Sequence, residues 1–372
     1  MIDGGKPSRL AIAGAGVAGA YAYRLLRDRG YPADLYDVKK KTRCGISPCA
    51  WGTSGEFIDL VKVAGLDPSQ YILERVDQVV IDGIRFKIEM ITIDKPRFVR
   101  DLLQGAGVSY GPVDLEAYSR VIDATGVSRA LLSPIRGDVF MPCFQSRIET
   151  RRELEARIIL GEIGYAWCFP LGENHYHIGC GSLVKDPHDV LRSLDLMGGQ
   201  SSKGDTTICS CRGRIRLTGP HLSLPFVSDR SADGIWGVGE AIGCVGPMAG
   251  DGIVPSMKTV RILLKEWDDP EAYTRSILEE FHWMEGERTL VDKLRNMEQP
   301  TIANARVLLE NSKRMGMRIG LKEVTSLMNN LRVKSPPSST SWRDSLPLRR
   351  GQTVWIASCK GSLSTSFLLE TG

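Results

Sequence analysis

A chain of 372 residues that is 42% hydrophobic and 25% charged can bury a large core and suggests about two or three domains. Its net charge of +4 gives no argument for nucleic acid, and no apolar run reaches the ~18 residues of a membrane span. Nine cysteines without a recognisable secretory leader fit a reducing cytoplasm better than a disulfide scaffold.

The first elements read as a dinucleotide fingerprint. An apolar strand over 10–13 leads into Gly14-Ala15-Gly16-Val17-Ala18-Gly19, which opens a helix expected over 18–29. The next strand, 34–37, ends in Asp37, 23 residues beyond Gly14. Strand, glycine turn, helix, strand and acid is the order such a site requires. Glycines permit the tight turn and close backbone approach to a pyrophosphate, and the helix N-terminus offers free N–H groups. Asp37 is placed to accept from a ribose hydroxyl. Tyr21, Tyr23 and Arg24 interrupt the apolar stretch 10–26, so it is neither a membrane span nor a leader.

Further along come Arg43-Cys44-Gly45-Ile46-Ser47 and then Cys49. The two thiols either form a redox pair or divide into one reactive and one packed cysteine. Residues 76–94 alternate apolar and polar, most clearly over 79–90, and predict one or two strands outside the cofactor sheet. A helix is expected over 98–104, with Lys95, Arg97 and Arg100 around its start. Val121-Ile-Asp-Ala124-Thr-Gly126 reads as another strand and turn.

Tyr165-Ala-Trp167-Cys-Phe169-Pro170 puts three aromatics on one strand face, a flat apolar wall suited to a hydrocarbon, and Pro170 ends the pairing. Ordinary core packing would use the same pattern. His175 and His177 share a strand face, as do Cys209 and Cys211; without a third ligand the histidines are expected to face solvent and no metal is expected. Gly237-Val-Gly-Glu240-Ala follows, then Pro247 and Gly250-Asp-Gly252-Ile253, opening a helix to 264. Residues 266–333 are helical by pattern and end in a basic stretch (Arg314, Arg318, Lys322, Arg332), a candidate contact with anionic lipid. From Ser335 a Ser/Pro cluster introduces a segment without clear period, expected to be poorly ordered.

Taken together these motifs resemble the geranylgeranyl reductase family within the para-hydroxybenzoate hydroxylase-like flavoproteins. The 237–253 segment is similar to the second FAD fingerprint, G-D-A then P-x-x-G-x-G, with Glu240 in place of Asp. The resemblance implies that Glu240 holds a ribityl hydroxyl, that Gly250, Gly252 and Ile253 face the flavin ring, and that Ala124 and Gly126 line the same cofactor. It makes Tyr165, Trp167, Phe169 and Pro170, followed by Gly179-Cys180-Gly181, the Y-x-W-x-F-P…G-x-G substrate segment; Leu171 stands where a lysine is common. Cys44, Gly45 and Ser47 match the family's Cys-Gly segment beside the flavin, lacking its acid. Lys95 to Leu102 is similar to the family's R-x-x-F-D-x-x-L, and Arg100 is the expected FAD contact there.

The expected fold is α/β. A Rossmann-type FAD domain with a parallel sheet comes from 1–75, 95–130 and 226–265. A mostly antiparallel substrate domain comes from 76–94 and 131–225, with a helical region over 266–334 and a tail over 335–372. The resemblance implies reduction of isoprenoid double bonds, in membrane lipids or prenylated quinones, with Cys44 or water supplying the proton. The electron donor (ferredoxin, reduced nicotinamide or another) is not named by any motif. A flavin monooxygenase or halogenase, and a non-catalytic electron-transfer or redox-sensing flavoprotein, are the alternatives.

Overall fold

The computed structural model describes residues 9–38, 49–161, 163–194, 205–231 and 233–330, which fall in one compact unit. The buried strand β1 (Leu10–Ala13) runs into α1 (Val17–Asp28), and the chain returns as β2 (Ala33–Asp37). Next come β3 (Gly52–Ser54), α2 (Phe57–Val63), the long hairpin β4 (Ile72–Ile81) and β5 (Ile84–Ile93), and α3 (Lys95–Leu102), which Asp94 caps by accepting from Arg97 N–H. β6 (Val108–Tyr110) and β7 (Arg120–Asp123) follow. The middle of the chain is β8 (Phe140–Glu149), β9 (Arg157–Leu160), β10 (Gly164–Pro170), β11 (His175–Ser182), α4 (Pro187–Ser193) and β12 (Thr206–Arg216). β13 (Val227–Ser228), β14 (Ile235–Gly237) and the helices α5 (Ile253–Lys265), α6 (Pro270–Glu280), α7 (Trp283–Arg295), α8 (Ile302–Arg314) and α9 (Leu321–Asn330) complete the described residues.

Two sheets result. One has six strands in the order β13-β14-β7-β1-β2-β6, parallel throughout except for the antiparallel edge β13. The crossover through α1 between parallel β1 and β2 makes it a Rossmann-type sheet. The other has eight strands, β12-β8-β11-β10-β9-β4-β5-β3, antiparallel except where β9 meets β4. β4 and β5 leave the cofactor sheet as two strands, and β3, within the 1–75 segment, also pairs with β5 in the second sheet.

The main core lies around the parallel sheet, where α1, α2, α3 and α5 bury Tyr21, Phe57, Phe98 and Met257. Phe98 sits edge-on to both Phe57 and Tyr71, with centroids 5.0 and 5.2 Å away. A second core joins the β4–β5 hairpin (Val79, Phe86, Ile88) to Leu290, Leu308 and Leu327 of α7, α8 and α9. No helix of the described residues is long and apolar enough to cross a membrane.

Candidate functional site

The first glycine turn is built from backbone contact. Gly14 has φ +104° and donates its N–H to Tyr36 O at 2.7 Å, which brings the end of β2, and Asp37 with it, beside the turn. A side chain at Gly14 would strike Ala124 O, and one at Gly19 would strike Gly14 O. At Gly16, by contrast, nothing lies within 4 Å of an added Cβ, so the turn opens onto free space there. Gly16 is the N-cap of α1; it supplies no side-chain cap, and the first turn holds no acid. Gly252 stands in the same relation to α5, again with no side-chain cap and no acid. The helices are neighbours: an added Cβ at Gly239 (φ +64°) would lie 3.2 Å from Ala18 Cβ of α1 and 2.9 Å from Ser256 Oγ of α5. Two adjacent helix N-termini with unspent N–H groups and open space at Gly16 fit a phosphate-bearing dinucleotide.

Glu240 joins the other motifs. Its Oε1 accepts from Arg216 N–H at 2.8 Å, and its Oε2 lies 3.8 Å from the Cβ position of Gly126 (φ +62°), next to Ala124. Burial pushes the Glu240 carboxyl above the usual range, against the pull of Arg216, Lys95 and Arg214. Two buried arginines fix this junction. Arg129, itself left-handed, donates to Ser133 O, Ala241 O and Pro225 O. Arg216 donates to Asp138, Glu240 O and Val127 O. Burial, and then the charge of Arg216, lowers Arg129 to about 10. Asp123 is fully buried and accepts from Thr125, Leu131 and Leu132 N–H, so this acid shapes the 124–132 turn.

The second sheet supplies a wall. Tyr165, Trp167 and Phe169 alternate along β10, and register sets Trp167 opposite Gly179 and Phe169 opposite His177 on β11. The absent side chain at Gly179 makes room for the Trp167 ring, which an added Cβ would strike. Tyr165 packs against Trp167 with centroids 5.6 Å apart, and its hydroxyl donates to Ala249 O at 2.8 Å, tying the wall to the 246–252 turn. Pro170 O accepts from Thr92 Oγ1 at 2.8 Å. Cys143 on β8 lies opposite Gly181, and burial pushes its thiol up to about 12.

Residues 49–51 are gripped against this wall. Gln145 donates to Cys49 O at 2.9 Å, His177 Nδ1–H donates to Ala50 O at 3.1 Å, and Ile93 N–H donates to Trp51 O at 3.0 Å. Trp51 is buried at φ +64°, a strained backbone for a bulky residue. Its ring meets the His177 ring at 4.5 Å. His177 is only 2% exposed, which corrects the expectation that it faces solvent. The segment 49–51 covers it, and burial first, with the charges of Arg147 and Lys95 adding, lowers it to about 4.

The structure brings Gly14, Ala15, Gly16, Gly19, Asp37, Ala124, Gly126, Glu240, Gly250, Gly252 and Ile253 to one end of the parallel sheet. Arg100 is not gathered there in the same way; its side chain is 71% exposed and pairs with Asp101 at 3.5 Å. Lys95, at the start of α3, is the buried cation, and its charge reaches both Glu240 and His177. Arg314 is turned inward: it pairs with Asp251 at 3.1 Å and Glu287 at 3.3 Å and lies over Trp283. Arg318 and Lys322 remain exposed. Cys44, Gly45 and Ser47 lie outside the described residues, as do Arg332 and 335–372.

Comparison with known proteins gives the same architecture. No family model matches the chain. It is 25% identical over 306 residues to digeranylgeranylglycerophospholipid reductase 1 of Methanopyrus kandleri, covering 68% of this chain and 78% of that one. A geranylgeranyl bacteriochlorophyll reductase-like protein from Thermoplasma acidophilum superposes with TM-score 0.61 at 18% identity, over 87% of this chain and 99% of the other. A variant of Klebsiella pneumoniae HpxO, solved with FAD, superposes with TM-score 0.53 at 14% identity, over 87% and 98%. The chain has a flavoprotein fold. At these identities the structural likeness establishes architecture, and the chemistry has to come from the site.

Proposed function

We propose that the protein is an FAD-dependent oxidoreductase that reduces carbon–carbon double bonds of isoprenoid chains. The observation that carries the cofactor is the pair of adjacent, uncapped helix N-termini of α1 and α5. Gly16 and α1 would hold the pyrophosphate, Asp37 the adenosine ribose, Glu240 a ribityl hydroxyl, and the start of α5 the ring's polar edge. Arg216 first, and Lys95 after it, supply positive charge facing Glu240. Bound FAD would supply hydride transfer, which no side chain offers.

The apolar substrate is supported by the Tyr165–Trp167–Phe169 face, which is aromatic, with the Tyr165 and Trp167 rings tilted 48° to each other, and bordered by Met90 and Met248. The M. kandleri relative, named as a reductase of a geranylgeranylated lipid, favours the same substrate class. Cys44 is the proposed proton donor. Gln145 and His177 hold the backbone just after it, at Cys49 and Ala50. Cys44→Ala is expected to retain FAD and slow reduction by roughly 10²–10⁴-fold, the usual worth of a general acid.

The test is anaerobic. Dithionite-reduced protein is mixed with an unsaturated geranylgeranyl lipid while flavin absorbance and product mass are followed. Reoxidation with gain of two hydrogens per reduced bond supports the reading. Reoxidation only after oxygen is admitted, with an oxygenated product, would replace it with a monooxygenase.

A further inference from the structure

Two acids and one cation are enclosed together where the 246–252 turn meets α7 and α8. Arg314 of α8 donates through Nη1 to Asp251 Oδ2 at 3.1 Å and through Nη2 to Glu287 Oε1 of α7 at 3.3 Å. The two acid side chains are 5% and 2% exposed. Lys258 of α5, the other cation whose charge reaches Asp251, is already paired with Glu56 and Glu280. With both acids ionised the cluster carries one negative charge too many, and in an interior such a charge is met by a proton. The hydrogen bonds place that proton. Glu287 spends both oxygens as acceptors, Oε1 from Asn311 and Arg314 and Oε2 from Met248 N–H at 3.1 Å. That is the pattern of an ionised carboxylate. Asp251 Oδ1 is buried and receives no donor among the described residues. Burial raises Asp251 above the usual carboxylate range; Arg314 and Lys258 oppose it and Glu56 adds to it. The remaining titratable groups facing the cluster are Glu280 of α6, through Lys258, and Tyr165 of β10.

Asp251 is also tied to the start of α5. Its carbonyl accepts from Gly246 N–H at 2.9 Å, Tyr165 holds Ala249 O, Glu287 holds Met248 N–H, and Gly252 caps the helix. A cleft of about 320 Å³ runs from buried Glu287 and from Arg314 to exposed His282, a way in for solvent protons.

We propose that Asp251 is a proton-linked positioning residue of the α5 turn: it rests protonated, ionises toward alkaline pH, and takes its proton back when the bound cofactor gains negative charge on reduction. This rests on the FAD reading and deepens it, since the start of α5 is the part assigned to the ring's polar edge. On reduction by dithionite the ring receives two electrons and one solvent proton. Where Asp251 is ionised beforehand, a second solvent proton goes to its Oδ1. That uptake removes a negative charge from the helix end that faces the reduced ring.

The test reads the two halves separately on the full chain. Without flavin, the infrared band of a protonated carboxyl is expected in wild type at about pH 7 and lost in Asp251→Asn, which keeps an oxygen for Arg314. With FAD, dithionite titrations against a reference dye at stepped pH give the protons taken up per two electrons. Wild type should take up one more than Asp251→Asn over part of the range, as linkage requires. Glu287→Gln removes the second acid, so the interval of extra uptake should move to lower pH, and it reads the same linkage should the asparagine variant fail to fold. A carboxyl band that persists in Asp251→Asn overturns the resting proton. Equal proton counts in flavin-loaded wild type and Asp251→Asn, or an interval unmoved by Glu287→Gln, overturn the coupling alone. Wild type that shows the band but takes up no FAD overturns the coupling together with the FAD reading.

Discussion

Around Glu240 and around Trp167 the protein buries polar groups in opposite ways. At Glu240 nearly every group is spent within the chain: Arg129 on three carbonyls, Arg216 on Asp138 and two more, Asp123 on its own turn. At the wall, Trp167 Nε1 and Arg147 Nε are buried without partners among the described residues. The contrast separates two tasks. On the proposed function, a cofactor would meet a cradle whose loops are fixed by internal bonds, with uncapped helix N-termini at Gly16 and Gly252. On the same reading, the substrate would meet the aromatic face, where donors are left unspent among the described residues.

The largest effect should come from filling the cradle. Gly19→Ala places a methyl against Gly14 O and 3.2 Å from Ala124 Cβ, both on rigid elements. It should cost about 3 kcal/mol or more, as severe overpacking does, and abolish FAD binding. Denaturant unfolding and flavin content read both; a well-folded, flavin-loaded variant would break the cradle half of the comparison.

The wall half is next. His177 has its pKa lowered from 6.5 to about 4, so the unfolded chain binds the proton more tightly than the native one. Stability contributed by this group is therefore intact above pH 6.5 and lost as pH falls toward 4, by up to about 3 kcal/mol. His177→Asn, which can still donate to Ala50 O, should flatten that slope in urea titrations at stepped pH.

Glu240 sharpens the cradle in a finer way. Glu240→Ala should weaken FAD binding by roughly ten- to a hundredfold, the worth of a hydrogen bond to a charged group. Because burial raises its pKa, the native state holds this proton more tightly than the unfolded chain does, and the stabilising contribution fades as pH rises through the raised value. Glu240→Gln should therefore make the FAD-free protein more stable than wild type at pH 8 while still lowering FAD affinity; a less stable variant at that pH would contradict the sign.

The smallest difference distinguishes two cations of α3. Lys95→Ala should weaken FAD binding by about 1 kcal/mol through loss of a buried charge. Arg100→Ala should change it by less than about 0.5 kcal/mol, as exposed residues do. The reverse ranking would restore Arg100 as the contact.

Much of the cradle is legible in the sequence because it is local. A glycine turn between strand and helix needs only neighbouring residues to be recognised, and β1, α1 and β2 appear within a residue or so of their expected bounds. The aromatic face of β10 is legible through its period of two. What is not legible depends on distant chain. His177 is buried because Trp51, from 126 residues earlier, folds over it in a left-handed conformation. Arg129 and Arg216 carry no local signal, because the carbonyls they bridge come from distant loops. Arg314 looks like one more charge of a basic helix, but Asp251 and Glu287 draw it inward. Lys95 was within reach, since the proline after it and the cap at Asp94 mark it as the first residue of α3.

If the turns at Gly14, Gly126 and Glu240 form one FAD site, the cofactor released from the protein identifies it. Protein purified or reconstituted with flavin should be yellow and, on denaturation, release FAD in close to equimolar amount, with Asp37→Ala weakening retention by roughly 1–3 kcal/mol. Release of FMN, or no flavin bound after reconstitution with FAD, would contradict it.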